Sequence, residues 1–172
     1  MQQIIRATGC QPILMAGLAA GMAEMLWVTA FSSTYSLSSA TVARQITASF
    51  WPAAAEWSYA PALGIVIHLA LSIALVAMTA PVLSRLTQKV SGAGFIIACS
   101  ALMLALVWTV NFFIILPVLN PAFVTLLPYG VSLVSKLLFG VTMGAVLHGI
   151  AHPVDRLDLN QSLSSRQPYY KH

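Results

Sequence analysis

Residues 60–83 read APALGIVIHLALSIALVAMTAPVL, and His68 is the one ionisable side chain among them. A helix facing water on any side needs a polar stripe, and this stretch has none. At about 1.5 Å per residue it is long enough to cross a hydrocarbon core of about 30 Å. The reading is therefore a transmembrane helix, because lipid leaves a backbone no hydrogen-bonding partner but itself. Working outward, three further runs have the same character, at 12–33, 94–119 and 126–151. The expected fold is an all-α membrane protein: a bundle of four transmembrane helices over residues 1–152, then a polar cytoplasmic tail over 153–172.

Composition agrees. Charged residues make up 7% of the chain, and mean hydropathy is +0.85, whereas soluble domains carry roughly 25% charged residues. The first apolar run follows Arg6 and continues to Phe31. That is longer than the apolar region of a typical secretory leader, so it is read as a retained span. Cys10 and Cys99 have no metal-like spacing and are read as free thiols. The formal net charge of +4 is explained by topology and does not call for nucleic acid. Arg6, Arg85, Lys89, Arg156, Arg166 and Lys171 fall on one side of a four-span arrangement, and Arg44 falls alone on the other. Positive residues stay in the cytoplasm, so both termini are expected there.

The first outer loop predicts a short helix from Ser39 to Trp51, ended by Pro52. Val42, Ile46 and Phe50 recur every four residues, opposite Arg44 and Gln45, with Trp51, Trp57 and Tyr59 close by. Two placements fit: a helix lying in the membrane interface, or a lid packed over the bundle. The stretch from Pro117 to Pro128 reads as a tight outer turn.

Each span holds one notable polar group: Glu24, His68, Asn111 and Lys136. Such residues are costly in lipid and call for a partner or a function. Counted from the outer end of each span at 1.5 Å per residue, all four lie roughly 10–15 Å deep. Neighbouring helices run in opposite directions, so this agreement points to one intramembrane polar layer in the outer half of the bundle. Small residues mark the faces that meet: Gly17 and Gly21 beside Glu24, Gly64 beside His68, and Gly140 and Gly144 below Lys136. The simplest role is structural, a Glu24–Lys136 ion pair with His68 and Asn111 satisfying the remaining donors and acceptors. The alternatives are a proton or ion path, or a metal or cofactor site at the same group with His68 as a ligand.

His148, His152 and Asp155 have spacings that suit a divalent metal on one helix face, but Pro153 interrupts that helix. Histidines at a helix C-terminus also complement its dipole without any metal. No Walker A motif, GxGxxG, CxxCH or nucleophile elbow is present in the sequence. The expectation is a protein that carries no catalysis and no cofactor, with the lipid bilayer and other membrane subunits as partners.

Several short segments carry a resemblance: Gly17 to Glu24, Ala43 to Ala48, Ile67-His68 with Leu71-Ser72, Trp108 to Phe112 with Pro117, and Leu138-Phe139-Gly140 with Gly144. On these the chain resembles a family of small, largely uncharacterised four-span bacterial inner-membrane proteins. The resemblance implies a four-span topology and a bacterial inner membrane, and implies no activity. Three functions follow as expectations. The first is a non-catalytic accessory or structural subunit of a larger membrane complex, such as an electron-transfer or oxidase assembly. The second is a small oligomeric proton or ion transporter using the polar layer. The third is an assembly factor for a membrane complex.

Overall fold

Long apolar runs with no internal break can satisfy their backbone in lipid only as helices, and the chain is all-α. A computed structural model describes residues 9–34, 37–87 and 92–151. Four helices are long and apolar enough to cross a membrane: α1 (Cys10–Thr34), α3 (Ala60–Leu86), α4 (Ala93–Leu119) and α6 (Tyr129–Ala151). Two short helices lie in the connections, α2 (Ser39–Phe50) and α5 (Pro121–Leu126), with a 3-10 turn over Pro52–Glu56 between α2 and α3. The helix ends differ from the hydropathy reading by a few residues. α1 begins earlier, at Cys10, and α3 runs on to Leu86. α6 begins only at Tyr129, because Leu127 is extended, the conformation favoured before a proline.

The spans pack as an open series, α3 on α1, α1 on α6 and α6 on α4, while α3 and α4 barely meet. Glycines allow the closest approaches. A side chain at Gly17 would collide with the backbone of Ile73 in α3, and one at Gly140 with the backbone of Ala101 in α4. Near the N-terminal end of α1 and the C-terminal end of α6 the bundle is solid. Ala16, Ala20, Val76, Leu104, Phe139 and Met143 form its core there, held by close van der Waals packing between helices.

At the opposite end, α2 is a lid on α3. Its buried side chains are Val42, Ala43 and Thr47, while Phe50 is exposed. Gly64 meets the Ala43 carbonyl of this lid, so its close contact is with α2. Thr47 donates to the Ala60 carbonyl at 2.7 Å, and the Arg44 guanidinium donates to the Ala55 and Trp57 carbonyls. The packing expected of a lid over the bundle is present. The helix starts without a side-chain cap from Ser38 or Ser39.

α4 changes its winding near the lid, where Asn111–Ile115 form a π-helical turn in which Leu116 N–H donates to the Asn111 carbonyl. Pro117 follows directly, and its ring would collide with the carbonyl four residues earlier in regular α-helix. A wider turn relieves that collision, and π-turns inside α-helices are frequent at functional sites.

Candidate functional site

The gap between α3 and α4 is the mouth of a cavity of about 950 Å³, with α1 and α6 at its back and α2 as its roof. Glu24, His68 and Lys136 line it together, from three different helices. Lys136 Nζ lies 2.7 Å from Glu24 Oε1 and 2.8 Å from Oε2, so both carboxylate oxygens share one ammonium. Ser135, the neighbour of Lys136, donates to Oε1 at 3.2 Å. Glu24 is buried, and these contacts replace the water its charge has lost.

His68 completes the group. Its Nε2 donates to the Gly21 carbonyl at 3.3 Å and lies 3.9 Å from Glu24 Oε2. A carbonyl only accepts, so this bond assigns a hydrogen to Nε2. A Cβ at Gly21 would meet Ser72 Oγ, so this glycine allows the close approach of α3 that brings His68 to the carbonyl. Lys136 also stands over the Phe139 ring, with Nζ 5.4 Å from its centre, which gives the cation a second favourable contact.

Asn111 stands apart from this group. It lines the same cavity but makes no side-chain hydrogen bond to a described residue. The register of α4 against α6 explains why. Gly140 packs on Ala101, and Trp108 Nε1 donates to Ser132 Oγ at 3.1 Å. That pairing sets Lys136 level with Ala105 and places Asn111 six residues nearer the lid, about 9 Å along the helix. The expected place of Asn111 beside the ion pair is taken by Ser135.

Asn120 is a polar residue that the depth count did not include. Its Oδ1 accepts from Phe123 N–H and caps α5, while Nδ2 donates to Gln45 O, Gln45 Oε1 and Ser49 Oγ. The Asn-Pro pair at 120–121 is a legible helix start, but nothing in the sequence pattern joins it to the lid. Indole groups fasten the same end: Trp27 Nε1 donates to the Val131 carbonyl at 3.0 Å, and Trp108 packs against Phe112, Phe113 and Tyr129.

Of the second constellation only His148 lies among the described residues. His148 belongs to the last turn of α6, whereas His152 and Asp155 fall outside the described residues. Among the described residues no three metal-binding side chains come together. Cys10 and Cys99 are both free.

The chemistry available is thus that of a buried ion pair with a histidine beside it, at the floor of a cavity between membrane helices. Comparison with family models, with curated proteins and with solved structures finds no match to this chain.

Proposed function

We propose that this chain is a small membrane transport protein in which Glu24, His68 and Lys136 handle a proton or ion within the bilayer. The observation that carries the reading is that three titratable side chains from three helices meet at one cavity floor. A proton arriving on Glu24 would cancel its charge and release Lys136, and His68 is close enough to take part in the exchange. The solid packing around Val76, Leu104, Phe139 and Met143 closes the far end of the bundle. Passage therefore requires two alternating conformations, and the role of an oligomer is to supply a surface against which the spans move. An accessory-subunit role ranks second, because Glu24 and Lys136 find each other within one chain and their burial calls for no neighbouring subunit.

Flux in proteoliposomes tests the reading, with an imposed proton or potassium gradient and an entrapped pH dye. The native chain should dissipate the gradient, and Glu24→Gln, which keeps size and removes charge, should fall to the level of protein-free vesicles. Native flux at background, or equal flux in the variant, rejects it.

The distribution of Lys and Arg supports cytoplasmic termini. Reporters fused after residue 91 and near Glu56 should be active on opposite sides, cytoplasm and exterior respectively. The reverse pattern would overturn this orientation.

A further inference from the structure

The slot between α3 and α4 has a feature that proton handling does not use. Its walls are strongly apolar and its rims face outward: Leu71 and Met78 on α3, and Leu106 and Val110 on α4, all line the cavity and are exposed. For a membrane-spanning helix pair, the medium at such a rim is hydrocarbon. The roof closes the slot from above, because Asn120 ties α5 to α2 through Gln45 and Ser49 and Thr47 ties α2 to α3. No α3 residue beyond Met78 and no α4 residue before Met103 lines it, and the next inward residues of α3, Ala80 and Leu83, belong to the buried core that closes it from below. The way in is therefore sideways, from the lipid.

We propose that this slot binds one amphipathic membrane molecule, with a single hydrocarbon tail and a small uncharged head bearing hydroxyl or carbonyl groups. Three observations select that chemistry. Size is the first: about 950 Å³ is at the upper end of the roughly 300–1,000 Å³ of ligand pockets. Charge is the second. Lys136 and Glu24 neutralise each other at 2.7 and 2.8 Å, so the floor offers no unmatched charge to balance an ionic head. The third is Asn111, which carries donor and acceptor atoms on the cavity wall with no partner among the described residues. A head hydroxyl or carbonyl satisfies them, while the tail lies along the α3 and α4 walls and recovers the dispersion contacts that an unfilled slot would forgo. A transmembrane helix of a partner protein fits less well. It needs a groove through the full bilayer depth, with axes about 8–10 Å apart, and the slot is shut by the core partway down.

The inference is independent of the proton reading, since binding can occur in a chain that moves no ions. Its test is photolabelling of the full chain in lipid nanodiscs with 1-oleoylglycerol carrying a diazirine in the oleoyl chain. Labelled peptides are mapped by mass spectrometry. Label should concentrate on the α3 and α4 segments around Leu71 to Met78 and Leu106 to Ile115, and excess unlabelled 1-oleoylglycerol should compete it away. Ala74, which lines the slot and is exposed, can be enlarged without disturbing the core. Ala74→Trp should reduce the competed label about tenfold, whereas Leu26→Trp, on an exposed position outside the slot, should leave it unchanged. Asn111→Leu should weaken competition about threefold to tenfold, the worth of one neutral hydrogen bond. Label spread evenly over the lipid-facing surface, or label insensitive to both slot variants, overturns the proposal. So does equal or better competition by anionic lysophosphatidylglycerol. A protein chain recovered cross-linked to the slot residues would assign the site to a partner helix and equally overturn it.

Discussion

In the half of the molecule that holds Gly140 and Gly144, α4 and α6 press together until a glycine meets the Ala101 backbone, and Leu104 and Met143 are sealed from any solvent. In the half that holds Glu24 and Lys136, α3 and α4 stand apart under a lid, and Leu106, two residues beyond Leu104, is 69% exposed. Both halves are written mostly in the same apolar residues. Lipid tails are as apolar as leucine, so hydrophobicity alone does not pull membrane helices together. Close packing needs small residues at the crossing, and α4 has Ala101 and Ser100 where it meets α6 but no such pair facing α3. Spacing between helices here follows side-chain size, and the ionisable residues Glu24, His68 and Lys136 line the cavity where the spacing is loose.

The sharpest way to probe the contrast is the ion pair. Lys136→Leu leaves Glu24 buried without its cation, and should destabilise the protein by about 3–5 kcal/mol. Glu24→Leu combined with Lys136→Leu should recover most of that loss, because a packed apolar pair is often no less stable than a buried ionic one. Unfolding monitored by helix content in mild detergent with added SDS measures both. If the double variant is as unstable as the single one, the floor depends on charge for its shape, and the loose half is held by electrostatics.

A smaller effect separates the halves by packing alone. Leu104→Ala opens a void in the solid half and should cost about 2–5 kcal/mol. Leu106→Ala, on the slot rim, should stay within about 0.5 kcal/mol of the parent. The same unfolding assay reads the pair, and equal losses would mean that the slot closes in the membrane.

The four spans were legible because their runs are uninterrupted and lipid permits one backbone solution. The shared depth of Glu24, His68 and Lys136 could be counted, since α-helical rise converts residue number into distance. Asn111 shows where that count fails. It assumed that α4 ends at the same level as its neighbours, but the π-turn and the stretch before Asn120 carry α4 further towards the lid. The open slot was not legible at all. A helix that is apolar all round does not reveal which faces meet protein and which meet lipid, and α3 and α4 are of that kind. Gly64 illustrates the same ambiguity: its small size marks a close approach, but nothing local says that the approaching backbone belongs to α2.

The wide turn at Asn111–Ile115 has a consequence for how this chain tolerates change. A π-turn is equivalent to one residue added to an α-helix, and each residue of α-helix turns the face by about 100° at 3.6 residues per turn. Deleting one residue there would restore regular winding and leave everything from Leu116 onward on its present face, whereas inserting one more would swing that segment around the helix axis. Asn120 would then lose its register with Gln45 and Ser49, and the roof would come unfastened although every side chain that makes it were still present. Substitutions at the exposed positions of this stretch alter a surface, whereas a single-codon insertion alters the assembly of the lid, so length is the property of α4 that the lid reads.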